Sequence, residues 1–199
     1  MRMKWILMII FLTVILIDFP ACNKLENLSE SSSALVVVLI SGNDLEGNPG
    51  STTIFSDVMT SSGSIINDTA TATLTAALLD PSQTTGTFYQ DIIVDQIDVE
   101  YTRSDIPDAQ QGVDVPFSFS QKVYARVLIG ESLELPFILV QHIAKTESPL
   151  VDLVSGGTQE KVLKMEARCT FHGKDGAGYR IAPIVGTVSI WFANFADTD

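Results

Sequence analysis

Over residues 163–172 every second side chain is apolar. Leu163, Met165, Ala167, Cys169 and Phe171 alternate with Lys164, Glu166, Arg168, Thr170 and His172. A period of two marks a strand with one face buried and the other in water. Val188, Ile190 and Phe192 alternate in the same way with Thr187, Ser189 and Trp191, and a glycine-rich stretch, residues 173–178, lies between the two runs. The pattern predicts a long antiparallel hairpin. An apolar face of that length cannot stay in water, so the rest of the chain must supply a second layer to cover it.

The upstream sequence offers strands of the right size. Residues 34–40 (ALVVVLI) form a β-branched run that reads as buried on both faces and stops at Ser41-Gly42-Asn43-Asp44. Residues 52–59 suit a short strand. Residues 69–79 set Thr69, Thr71, Thr73 and Thr75 against Ala70, Ala72, Leu74 and Ala76, with a helical turn open near Leu78. Farther on, Ile93, Asp95, Ile97, Val99 and Tyr101 fall on one strand face and Gln96, Asp98, Glu100 and Thr102 on the other. Residues 117–129 and 133–145 read as two strands joined in a hairpin across Gly130-Glu131-Ser132, and residues 149–153 as one helical turn. Some seven or eight short strands with almost no helix predict an all-β fold, a single antiparallel sandwich over residues 34–199. Within it, residues 171–178 (FHGKDGAG) resemble the closing hairpin of bacterial immunoglobulin-like domains, where an Asp and a Gly mark the turn. The likeness is confined to this hairpin and implies an immunoglobulin-like sandwich.

The first 22 residues have a different character. Arg2 and Lys4 precede an apolar run, residues 6–17 (ILMIIFLTVILI), and then Asp18-Phe19-Pro20-Ala21-Cys22. Twelve residues make a helix of about 18 Å, well short of the roughly 30 Å hydrocarbon core. Asp18 would be costly inside a bilayer. The stretch therefore reads as an export signal, an N-terminal signal helix over residues 1–21, and not as a permanent span. Cleavage between Ala21 and Cys22, with Cys22 acylated (palmitate), resembles bacterial lipoprotein processing, although Phe19 and Pro20 depart from the usual Leu and small residue. A cleaved or uncleaved ordinary signal with an incidental cysteine is the alternative. Residues 22–33 would then be the lipidated cysteine and a serine-rich flexible tether. The mature chain as a whole resembles the small uncharacterised lipoproteins of Gram-negative bacteria. That resemblance implies a bacterial cell-envelope location, lipid-anchored at the outer membrane or facing the periplasm.

Charge narrows the partners. The chain has 12 Lys+Arg against 24 Asp+Glu, a net charge of -12. Losing Arg2, Lys4 and Asp18 with the leader leaves 10 basic and 23 acidic side chains, net -13. Such a chain repels phosphate backbones, so nucleic acid is excluded as a partner. Anionic headgroups should repel it too, so the lipid and not the domain surface should hold it to a membrane. Envelope protein or glycan remains as the partner. Cys22 and Cys169 are the only cysteines, so an acylated Cys22 leaves a domain without disulfides.

No linear catalytic, phosphate-binding or zinc motif is present, and no cofactor is expected. His142, placed within a strand, reads as structural and His172 as a surface residue. Asp98 and Glu100 share a wet strand face, and Cys169 sits on the apolar face as an inert thiol. Asp105, Asp108 and Asp114 fall in one loop, with Asp175 in a separate turn. They are candidates for a hard cation, but their spacing fits no calcium loop, and in so acidic a chain they read as scattered solvated carboxylates with no metal expected. Two function classes follow. One is a non-catalytic binding or structural module of the envelope. The other is an envelope lipoprotein enzyme with a site assembled from loops.

Overall fold

The computed structural model describes residues 31–44, 46–83, 85–155 and 162–195. The leader, the Ala21–Cys22 bond and most of the tether lie outside the described residues.

Among the described residues, nine strands form two sheets. One contains β1 (Ser33–Asn43), β2 (Pro49–Ser51), β4 (Asp68–Leu78) and β7 (Ser132–Val140), in the order β2-β1-β4-β7. The other contains β3 (Thr53–Asp57), β5 (Ile92–Thr102), β6 (Phe119–Val127), β8 (Leu163–Asp175) and β9 (Ile184–Ala193), in the order β3-β9-β8-β5-β6. All pairings are antiparallel except β3 with β9. The fold is an all-β sandwich, and the run β9-β8-β5-β6 follows the G-F-C-C′ order of immunoglobulin-like domains. The count exceeds the expected seven or eight because the first strand is broken. The chain leaves β1 at Asn43, makes the short β2, and crosses to the other sheet as β3.

The hairpin of β8 and β9 forms in the predicted phase. Met165, Ala167, Cys169 and Phe171 are buried on β8, and Val188, Ile190 and Phe192 on β9. They meet Leu74, Phe137 and Leu139 from the other sheet, with Phe137 edge-on to Phe171 at 5.9 Å. Each such large side chain contributes about 1.5–3 kcal/mol by leaving water. The buried Tyr101 hydroxyl donates to the Leu139 carbonyl at 2.6 Å, tying the layers together. The layers approach so closely at Gly186 that a Cβ there would lie 2.8 Å from Val37 and from Ile40.

Four expectations give way. Residues 117–145 are not a hairpin: β6 and β7 belong to different sheets, and Gly130-Glu131-Ser132 carries the chain across the sandwich. Ala125 and Val127 on one strand, and Leu135, Phe137 and Leu139 on the other, are both core faces, so the strands are better placed in opposite layers than side by side. A side chain closes the seam. The Gln121 amide donates to the Ile138 carbonyl at 2.7 Å and accepts from its N–H at 3.1 Å, in place of a ladder pair. Pro136, which has no N–H to offer, interrupts the same edge.

Residues 34–40 are not buried on both faces, since Val36, Val38 and Leu39 are exposed. A bulge between Val37 and Leu39 turns that part of β1 outward, and β2 joins it only at Gly42 and Asn43. On β5 a bulge between Val94 and Gln96 resets the phase. Ile92 and Val94 are therefore buried with Ile97, Val99 and Tyr101, whereas Ile93 and Asp95 leave the core face. Finally, β7 ends at Val140, and His142 opens a 3-10 turn, His142–Thr146. The helical turn near 149–153 exists as α1 (Val151–Ser155), while β4 stays extended through Leu78.

The strands share a direction that gives the sandwich two poles. Ser33, Leu78, Ile92, Val127 and Asp175 lie at the pole where the chain enters the domain. Asn43, Asp68, Thr102, Val140 and Leu163 lie at the far pole.

Candidate functional site on the outer face of the five-stranded sheet

The alternation that buries one face of β5, β6 and β8 sends the other into water, and register then decides which side chains meet. Gln96 of β5 lies opposite Lys122 of β6 and His172 of β8. The next outward row places Asp98 opposite Ser120 and Thr170. Residues directly opposite across antiparallel strands have their Cβ atoms about 4.5–5.5 Å apart, close enough to link polar groups.

A connected network results. Lys122 Nζ donates to Gln96 Oε1 at 2.5 Å, and Gln96 Nε2 donates to Asp98 Oδ1 at 2.7 Å. His172 Nε2 lies 2.7 Å from Asp98 Oδ2, both side chains being less than a third exposed. Partial burial pushes the Asp98 carboxyl up, but hydrogen bonds from Ser120, Gln96 and His172 outweigh it and hold the group below the usual carboxylate range. Tyr124 stands on the same face of β6 between Lys122 and Arg126, 79% exposed. At the corner, Arg126 pairs with Asp91 and lies 4.2 Å from the centre of the Phe88 ring. Lys164, Arg168 and Lys174 project from the wet side of β8. Among the described residues, five of the eight Lys and Arg side chains (Lys122, Arg126, Lys164, Arg168 and Lys174) thus stand on this sheet face, interleaved with the carboxylates of Asp98, Glu100 and Glu166.

The order of this network matters for its chemistry. Ser120 hydrogen-bonds the carboxylate that also holds the imidazole. In a nucleophilic triad the hydroxyl would instead contact the imidazole, with the carboxylate behind it. The arrangement therefore orients donors and acceptors at a surface and does not activate Ser120.

The other candidate residues are held elsewhere. Asp105 pairs with Arg103 through both oxygens, at 3.0 and 2.6 Å. Asp114 accepts the Gln110 N–H at 2.9 Å, and Asp108 is exposed. Asp175 lies opposite Ile92 at the entry pole, a sheet's length from that loop, and accepts the N–H groups of Ala177 and Tyr179 at 3.0 and 2.9 Å. Among the described residues no group of three or more His, Cys, Asp or Glu converges to hold a metal ion. His142 uses its backbone N–H and ring Nδ1 on Asn67 Oδ1, at 2.6 and 3.0 Å. Cys169 is fully buried, and burial pushes its thiol up to about 12.

One buried charge carries no local sequence signature. Lys145 has no exposed side-chain surface; its ammonium donates to Asp68 Oδ1 at 2.8 Å and to the Asp57 carbonyl at 2.7 Å. Ser56 donates to the other Asp68 oxygen at 2.5 Å. Burial pushes Asp68 above its ordinary value, and Lys145 and Ser56 only partly offset that. Asp57 and Ser56 belong to β3, Asp68 to β4 and Lys145 to the turn after β7, so this cluster pins the two sheets together at the far pole. Compared with known proteins, the chain matches no family model and no curated sequence.

Proposed function

We propose that the protein is a non-catalytic binding module of the bacterial cell envelope, anchored through acylated Cys22, and that it takes envelope glycan on the outer face of the five-stranded sheet. The observation that carries this reading is the outward row Lys122–Gln96–His172 beside Asp98 and the exposed Tyr124. An exposed phenol ring offers a flat apolar surface with a polar tip, and the neighbouring amide, carboxylate and ammonium are already held in place by one another. A sugar ring, apolar on its faces and hydroxylated at its rim, matches that combination. The leader, with its positive start, short apolar run and Ala21-Cys22 junction, supports the anchor.

The test has two arms. Mature protein should partition into detergent and carry acyl mass on the peptide that begins at Cys22, and Cys22→Ser should abolish both. Unmodified protein in the aqueous phase would remove the anchor. Purified protein titrated with soluble cell-wall glycan fragments should bind, and Tyr124→Ala should weaken binding about tenfold. Binding that ignores both Tyr124→Ala and Lys122→Ala would remove the face.

A further inference from the structure

The chain enters the domain at one pole: Ser33 pairs with Leu78, and the Leu79 N–H donates to the Ser32 carbonyl at 2.9 Å. Only residues 23–30 separate Cys22 from Ser31. Eight residues span roughly 16 Å as a coil and at most about 28 Å when extended. The 11-residue strand β5 runs pole to pole over roughly 35 Å. A lipid on Cys22 therefore keeps the entry pole close to the membrane.

That pole carries exposed Leu79, Tyr89 and Tyr179 beside Lys174 and Arg180, which lie opposite one another across a β-bridge. An apolar cleft of about 390 Å³, walled by Leu35, Leu79, Ile181 and Ile184, opens next to Arg180. Two carboxylates here are already engaged: Asp91 is held by Arg126, and Asp175 folds back onto its own turn. Asp80 and Glu131 stand exposed against Lys174 and Arg180, which leaves the pole near neutral. The far pole differs sharply. Asp44, Glu46, Asp105, Asp108, Glu147 and Asp152 sit there, while of its cations among the described residues Arg103 and Lys145 are paired with Asp105 and Asp68 and Lys164 lies over the Trp191 ring.

Resting on the acyl anchor proposed above, we infer that the entry pole is a lipid-docking surface for an anionic phospholipid bilayer, with the acidic pole pointing away from it. Aromatic side chains with polar tips settle at headgroup depth, and nearby Lys and Arg are attracted by anionic headgroups. The acidic pole is repelled by the same field. Docked in this way, the sandwich stands upright and its lateral face, with Tyr124 and Lys122, remains open.

The test uses the full acylated chain in vesicles of phosphatidylethanolamine and phosphatidylglycerol doped with nitroxide-headgroup lipid. Fluorophores are attached through Tyr89→Cys or Asp108→Cys, because Cys22 is then blocked and Cys169 is buried. The label at position 89 should be quenched and the label at 108 should not. Lys174→Gln with Arg180→Gln should shift the docked population about 30-fold, the effect of two cations at such a surface, and the shift should vanish in phosphatidylcholine vesicles. Equal quenching at 89 and 108, or none at 89 while the protein floats with the vesicles, overturns the inference. Failure to float instead overturns the anchor, and this inference with it.

Discussion

Replacing Lys145 with Met tests whether the far-pole cluster holds the sandwich together. Methionine fills most of the lysine's volume, so packing changes little while the ammonium is lost. The Asp68 carboxylate would keep the Ser56 hydroxyl, and the Lys145 hydrogen bond to the Asp57 carbonyl would be lost. Breaking one side of a buried ion pair typically costs about 3–5 kcal/mol, because the remaining charge stays desolvated. In a domain of this size that lowers the melting temperature by roughly 10 °C. The loss should depend on pH in a defined direction. Without Lys145 the Asp68 pKa rises further above its unfolded value of about 3.9. Protonation then favours the folded state, so the penalty is small near pH 4 and grows to its full size as pH rises through the folded pKa. Urea midpoints at pH 4, 5.5 and 7 read this directly. Adding Asp68→Leu to Lys145→Met should recover most of the stability, since no charge then remains buried. A loss within about 1 kcal/mol at pH 7, or a double variant as unstable as the sum of its parts, would refute the reasoning.

Two further outcomes follow from the sheet. Cys169, with its thiol pushed up to about 12, should resist thiol reagents in the native state and react on denaturation, and Cys169→Asp should cost several kcal/mol; rapid native labelling would mean that β8 is out of phase by one residue. Asp98, held below the usual carboxylate range, contributes stability above about pH 4 that is lost as pH falls through its lower folded pKa, so Asp98→Asn should flatten the acid limb of a urea-midpoint profile, and an unchanged limb would show the network to be idle.

A strand's period is local, and it carried much of the fold. The alternation over residues 163–172 and 187–192 defined the core face of β8 and β9 before any partner was known, because each side chain's direction follows from its neighbours' backbone geometry. Cys169 fell on the buried side for that reason. The same rule failed on β5, where a single bulged residue inverted the phase between Val94 and Gln96 without a glycine or proline to announce it. It failed again at Gly130-Glu131-Ser132, because a short connection fits a hairpin within one sheet or a crossing between two. That choice is made by which apolar faces meet, a long-range matter.

Charge divides in the same way. The net value of -12 is a sum over the sequence and has no positions in it. It gave no notice that Lys145 would be wholly buried against Asp68, residues 77 positions apart. Nor did it show that β6 and β8 would array Lys122, Lys164, Arg168 and Lys174 on one face while the loops of the far pole took Asp44, Asp105 and Asp108 and the short helix α1 took Asp152. The one-letter pattern determined that the chain makes amphipathic strands and needs two layers to cover them. Strand order and register, which bring distant residues to about 5 Å from one another, decided where the protein is basic, where it is acidic and which of its polar groups could act together.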